Sequence, residues 1–120
     1  MQTKIIGGIA VINSKTLLIT DAQSALDLIA SVGYEHNVTK IAIIKDAVSE
    51  DFFRLSTGFA GEVVQKFVNY GYRLAIIGDF SGYTSKPLHD YIYECNNGKH
   101  LSFVADEDEA VAKLAGVFNG

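Results

Sequence analysis

The sequence has little of several residue types: one cysteine, one proline and no tryptophan among 120 residues. A single cysteine, Cys95, cannot form a disulfide within the chain, which indicates a reducing compartment and predicts a cytoplasmic protein. Ten basic and fourteen acidic residues give a net charge of -4. Because binding to nucleic acid requires several converging cations, we expect no nucleic-acid partner. The longest uncharged stretch, 5–14, is far shorter than the roughly 20 residues that span a bilayer, so we expect no membrane contact and no secretory signal.

Apolar residues are plentiful, at 48% against 20% charged residues. This composition can offset the entropy of ordering the chain, and its length suits one domain and leaves no room for a second. We therefore expect residues 1–120 to form a single folded domain.

Three short β-branched runs open the chain, at 4–6, 9–12 and 16–19, separated by turn-forming residues. They predict an N-terminal antiparallel ribbon. The continuous apolar runs 40–44 and 73–77 are typical of parallel strands that helices cover on both faces. A further strand is predicted at 101–104.

Apolar residues recur with helical spacing between these strands. The first helix is predicted to start with a capping box of Thr20 and Gln23 and to stop at Gly33. The second helix is predicted to run from Ser49, as its N-cap, to a left-handed stop at Gly71.

Two more helices follow. Pro87 lies in the first turn of the third, and Asp106 with Glu109 begins the fourth. The apolar face of this fourth helix is predicted to contain Val111, Leu114, Ala115 and Phe118. The order of elements predicts an α/β fold with a single mixed, mostly parallel sheet flanked by four helices.

Six short sequence motifs are specific enough to suggest a family: 49–53, 60–62, 65–70, 78–81, 83–86 and 92–94. They resemble a bacterial domain-of-unknown-function family, numbered four-one-eight-zero. The element order also resembles STAS domains of the SpoIIAA type. This resemblance implies a STAS topology and a regulatory role, although a fold alone does not establish a function.

The STAS resemblance implies a switch by phosphorylation of a serine at the start of the second helix, where a phosphate adds roughly two negative charges. Ser49 is the predicted N-cap of that helix, so simple capping is the alternative explanation of this residue. Ser56, Thr57 and Gly58 resemble the Ser-Ser/Thr-Gly part of the STAS motif, but would lie about two turns inside a helix that begins at Ser49. The candidate phosphorylation sites are therefore Ser49, Ser56 and Thr57.

The loop 78–86 follows a predicted parallel strand and leads into a helix, at the sheet edge where α/β proteins bind ligands. Its backbone N–H groups, hydroxyls and Lys86 suit a phosphate or a carboxylate. Turn formation and helix capping are the alternative role of the same residues. The candidate binding residues are Asp46, Ser49, Asp79, Phe80, Ser81, Thr84, Ser85 and Lys86.

Asp46 and Asp79 follow neighbouring predicted strands, so a small Mg²⁺-assisted enzyme is one alternative. No nucleophile or general base is spaced to accompany them, and the three histidines lack metal-ligand spacing. We therefore expect no catalytic residue, no metal and no cofactor. The favoured function is a regulatory domain that binds a protein partner or a small anionic ligand. A structural oligomerisation module is a further alternative, with a homodimer formed through the edge of the N-terminal ribbon.

Overall fold

The computed structural model describes residues 1–116, and five strands of this region form one sheet in the order β1-β2-β3-β4-β5. The strands are β1 (Gln2–Ile6), β2 (Ile9–Asn13), β3 (Lys40–Ile44), β4 (Arg73–Ile77) and β5 (Leu101–Val104). The β1 and β2 strands are antiparallel, and each later pair of neighbours is parallel. The predicted mixed, mostly parallel sheet is therefore confirmed.

Four α-helices accompany this sheet within residues 1–116: α1 (Ala22–Leu28), α2 (Phe59–Asn69), α3 (Lys86–Asn96) and α4 (Glu107–Leu114). The first three connect successive parallel strands, and each connection advances by one strand in the same direction. Because such crossovers are right-handed, α1, α2 and α3 lie on one face of the sheet. The α4 helix packs on the opposite face.

The core accordingly has two layers of unequal size. Ile41 and Ile43 point toward α1, α2 and α3, whereas Ala42 between them points toward α4. Ala75 on β4 pairs with Ala42 and lies in the same layer. Small side chains at both positions let α4 pack close to the sheet, which explains why these strands are apolar on both faces.

The N-terminal region differs from its prediction in three ways. The run 16–19 is not a third strand; only Ile19 pairs, in a single parallel bridge with Val48. The capping box of α1 uses Asp21 and Ser24 rather than Thr20 and Gln23. The helix also continues beyond Gly33, through the π-helical turn Ile29–Tyr34.

Gly33 therefore serves packing rather than termination. A Cβ atom at this position would lie 2.0 Å from the phenolic oxygen of Tyr72. The left-handed residue that follows the helical segment is Asn37, with φ of 54°.

The start of the second helix was predicted wrongly, because α2 begins at Phe59 and not at Ser49. Ser49 does cap a helix, but a short 3-10 helix, Glu50–Phe53, whose Asp51 N–H it accepts. A second 3-10 helix, Leu55–Thr57, follows. The buried side chains of Phe52 and Phe53 hold this segment against the core. The predicted left-handed stop at Gly71 is confirmed by its φ of 72°.

The last two helices agree better with prediction. Pro87 lies in the first turn of α3, and the Asp106 carboxylate accepts the Glu109 N–H at 2.8 Å. Leu114 is buried on α4, but Ala115 is exposed at its C-cap, and Phe118 lies outside the described residues. None of the helices in residues 1–116 combines the length and apolar character that a membrane crossing requires.

Candidate functional site

The carboxyl ends of β3 and β4 meet at one edge of the sheet. Lys45 directly follows β3 and Gly78 directly follows β4, and the two strands pair in register up to Ile44 and Ile77. A Cβ atom on Gly78 would lie only 2.7 Å from the Cβ atom of Lys45. Glycine is therefore required at position 78 for the Lys45 side chain to cross the end of β4.

Lys45 takes part in a three-residue cluster with Glu50 and Tyr83, which we call the Lys45–Glu50–Tyr83 cluster. The Lys45 Nζ atom lies 3.2 Å from Glu50 Oε1, and the Tyr83 hydroxyl donates to Glu50 Oε2 at 2.9 Å. The ammonium also lies 5.1 Å from the ring centroid of Tyr83 and 5.3 Å from that of Phe53, within the range of cation–π attraction. The cluster joins residues 33 positions apart in sequence.

The contacts within the cluster favour the charged forms of Lys45 and Glu50. Contact with Tyr83 raises the pKa of Lys45, and Glu50 adds to this effect. Partial burial alone would raise the pKa of Glu50, but the hydrogen bonds from Tyr83 and Lys45 together lower it. Partial burial raises the pKa of Tyr83. The cluster is thus a carboxylate held by an ammonium and a phenol, and a lysine with a raised pKa is a poor nucleophile.

An aromatic cluster lies beneath these charges. The Tyr83 ring stacks on Phe53 with centroids 5.2 Å apart and an interplanar angle of 22°. Phe80 meets Phe103 edge-on at 5.2 Å. Phe53 and Phe103 are buried, whereas Phe80 and Tyr83 are half-buried, so the loop 78–86 closes over the core with its own aromatic side chains.

Most polar residues of the loop already have partners. The Asp79 carboxylate accepts both the Ser81 hydroxyl (2.6 Å) and the Ser81 N–H (2.9 Å), and these bonds lower the pKa of Asp79. Ser85 caps α3, and Lys86 forms an exposed ion pair with Asp90 at 2.7 Å. Thr84 is exposed. These contacts are turn and helix-cap interactions, which the sequence analysis gave as the alternative to ligand binding for these residues.

The two candidate residues after β3 are less closely tied to the loop. Asp46 is exposed in the 3-10 turn Lys45–Ala47, and Ser49 caps its own 3-10 helix. Across residues 1–116, no three His, Cys, Asp or Glu side chains are grouped so as to hold a metal ion. A magnesium ion on Asp46 and Asp79 would therefore need hydroxyl, backbone or water oxygens as its remaining ligands.

Ser56, Thr57 and Gly58 lie directly before α2 rather than inside it. The Thr57 hydroxyl donates to the carbonyl oxygens of Arg54 (2.8 Å) and Asp51 (3.1 Å), and accepts the Phe59 N–H at 3.2 Å. The Ser56 side chain is exposed. One hydroxyl therefore stabilises the local fold, and the other faces solvent.

The structure thus brings together two of the predicted regions, the segment 49–58 and the loop 78–86. They meet through Glu50 and Phe53 on one side and Tyr83 and Phe80 on the other. Sequence reasoning missed Lys45 and Glu50 as site residues and did not include Tyr83 among them. The signal in the sequence that could have indicated Lys45 is a lysine directly after β3 and a glycine directly after β4, since these two strands end side by side.

Comparison with known proteins identifies one family. The model of the family described as "Domain of unknown function (DUF4180)" matches residues 7–114. Comparison with curated proteins and with solved structures gives no match.

Proposed function

Since this chain belongs to the DUF4180 family, whose description names no activity, we propose a function from its own geometry. The chain is a non-enzymatic regulatory domain of STAS topology that docks on a protein partner. Its docking surface consists of the segment 49–58 and the loop 78–86. A bacterial origin and a cytoplasmic location are part of this proposal.

The sheet order and the position of the Ser56-Thr57-Gly58 tripeptide support the STAS assignment. Three parallel crossovers place α1, α2 and α3 on one face, as expected of the element order that suggested this topology. The correction at α2 moves the tripeptide from the middle of a predicted helix to the residues just before it. That is the place where the STAS resemblance expects a phosphorylated serine.

The exposed hydroxyl of Ser56, at the same sheet edge as the loop 78–86, is the observation that carries the proposal. A phosphate there would add negative charge beside the N-terminus of α2, where the helix dipole favours it. The Thr57 hydroxyl is committed to three hydrogen bonds, so a phosphate on it would have to break the two that it donates. A phosphate on Ser49 would crowd the neighbouring Glu50 and Asp51. Ser56 is therefore the favoured switch residue.

A protein partner suits this surface better than a small anion. Both nearby lysines are paired, Lys45 with Glu50 and Lys86 with Asp90. The exposed carboxylates of Asp46 and Asp79 would repel an anionic ligand. The anionic ligand stays a prediction that a thermal-shift screen against phosphorylated metabolites can test, since a ligand at 100 times its Kd adds about 2.7 kcal/mol of stability.

Photo-crosslinking in cells of the source organism tests the docking surface. A photoreactive phenylalanine analogue is placed at Ser56 or at Ser81, one on each half of the surface. The control position is Tyr34, an exposed aromatic residue that precedes β3 and therefore lies toward the opposite edge of the sheet. We expect the same partner adduct from Ser56 and Ser81 and none from Tyr34. Ser56→Glu should weaken the adduct at Ser81, whereas Ser56→Ala should retain it.

An adduct from Tyr34 alone, or adducts of different mass from Ser56 and Ser81, would argue against a shared docking surface. An unchanged adduct at Ser81 in Ser56→Glu would remove the switch from the proposal but leave the docking surface.

The alternatives from the sequence have less support. A magnesium enzyme would have to compete with Ser81 for the Asp79 carboxylate. A homodimer through β1 is favoured by Ile5, which is 44% exposed on this edge strand. However, a symmetric antiparallel pairing centred on Lys4 would place two lysines opposite each other. Both alternatives stay predictions.

A further inference from the structure

Tyr83 is the residue that fixes the loop 78–86 onto the segment 49–58. Its hydroxyl binds Glu50, its ring stacks on Phe53, and its backbone carbonyl contacts the His89 ring nitrogen Nε2. Within the part of the chain that the structure describes, the backbone of residues 79–84 makes a single backbone–backbone hydrogen bond, from Tyr83 N to Phe80 O at 3.3 Å. The loop is therefore held by side-chain contacts more than by its own backbone.

The other side of this contact depends on Thr57. Its hydroxyl binds the carbonyl oxygens of Asp51 and Arg54, and thereby ties the two 3-10 helices of the segment 49–58 to each other. Glu50 is the first residue of the first of these helices. A continuous series of contacts thus runs from the Thr57 hydroxyl, through the 3-10 helix and Glu50, to Tyr83 and the loop.

We propose that the Lys45–Glu50–Tyr83 cluster is a latch that couples the two halves of the docking surface. When the segment 49–58 is intact, Glu50 holds Tyr83 and the loop is closed. When the segment is disturbed, by a modification or a partner, Glu50 moves and the loop opens. This regulation rests on the proposed docking function, because both halves of the latch belong to the docking surface.

Two features describe what such opening would change. The Glu50 side chain is 62% exposed, and an ion pair in that position is weak, so the charge contact itself adds only a small part of the stability of the closed state. Opening would uncover the rings of Phe53 and Phe103, which are buried in the closed state. Segments that move in regulation come from this low-stability end of a structure.

Hydrogen exchange of the Ser81 and Tyr83 amides, the two amides of residues 79–84 that donate a hydrogen bond, tests the latch when it is measured on the full chain without any partner. Three variants weaken it at different points: Tyr83→Phe removes only the hydroxyl and keeps the ring stack, Glu50→Gln removes the charge, and Thr57→Val removes the distant hydrogen bonds. Each should speed exchange in the loop about three- to tenfold. The matched control is Tyr93→Phe, which removes the hydroxyl of an exposed tyrosine of α3. This control should leave loop exchange unchanged.

The double variant Thr57→Val/Tyr83→Phe decides whether the two sites act through one path. If Thr57 acts through the latch, exchange in the double variant should match that of Tyr83→Phe alone. Unchanged loop exchange in Thr57→Val, or a double variant that multiplies the two single effects, would overturn the coupling. Because no partner is present, this result is independent of the crosslinking test, and the latch and the docking function can fail separately.

Discussion

Two glycines show how much one missing side chain can matter at the scale of a single residue. At Gly33, a Cβ atom would meet the Tyr72 ring at 2.0 to 2.5 Å. At Gly61, in the first turn of α2, nothing lies within 4 Å of the added atom. The same chemical change therefore has opposite expected effects at the two positions.

Gly33→Ala should destabilise the fold by about 1–3 kcal/mol, because the buried Tyr72 ring would have to shift. Gly61→Ala should stabilise it by about 0.5–1 kcal/mol, since alanine loses less backbone entropy in a helix. Urea unfolding of both variants measures these changes. In a Tyr72→Ala background the cost of Gly33→Ala should largely disappear. A similar cost in both backgrounds would mean that the Tyr72 contact is not its cause.

At the scale of elements, the central parallel strands were predictable, whereas the start of the second helix was not. The runs 40–44 and 73–77 match β3 and β4 at both ends, because burial on both faces leaves an unbroken apolar pattern. Ser49 followed by two acidic residues is a genuine cap signal, but it does not specify how long the capped helix is. The buried Phe52 and Phe53 side chains instead hold two 3-10 turns, a tertiary effect that local pattern does not encode.

The site was only partly predictable for a related reason. The loop 78–86 and the segment 49–58 each follow the carboxyl end of a parallel strand, which predicts that they lie at the same edge of the sheet. The contact between Glu50 and Tyr83 depends on side chains 33 residues apart. The position of Lys45 beside them depends on the absence of a side chain at Gly78. No spacing within either segment reveals such a contact.

The N-cap of α4 should matter more for stability than the other helix caps. Within residues 1–116, α4 is the α-helix that covers the sheet face opposite α1, α2 and α3. Asp106→Ala should lower the free energy of unfolding by about 1 kcal/mol through loss of the bond to the Glu109 N–H. Asp106→Asn keeps a capping oxygen and should cost little. Chemical denaturation of the two variants makes this comparison. Equal losses would indicate that the charge at this helix start matters more than the cap.

At the scale of the whole molecule, aromatic residues and paired charges are concentrated at one edge. Phe52, Phe53, Phe80, Tyr83, Tyr91 and Phe103 form a connected set of ring contacts there. The Lys45–Glu50–Tyr83 cluster covers part of this set. The free energy of unfolding of the whole chain should therefore change with pH as the charged residues of that cluster titrate.

The sign of this dependence follows from the two pKa shifts. Glu50 has a lowered pKa, so its contribution is fully present above its ordinary value of 4.5 and is lost as the pH falls through the folded value. Lys45 has a raised pKa, so its contribution persists to at least pH 10.5 and is lost above it. Glu50→Gln should thus cost up to about 1 kcal/mol at pH 7, typical of exposed pairs, and less at pH 3.5. Urea midpoints at both pH values test this, with Tyr93→Phe as a pH-independent control. An equal cost of Glu50→Gln at both pH values would show that the carboxylate charge does not hold the latch.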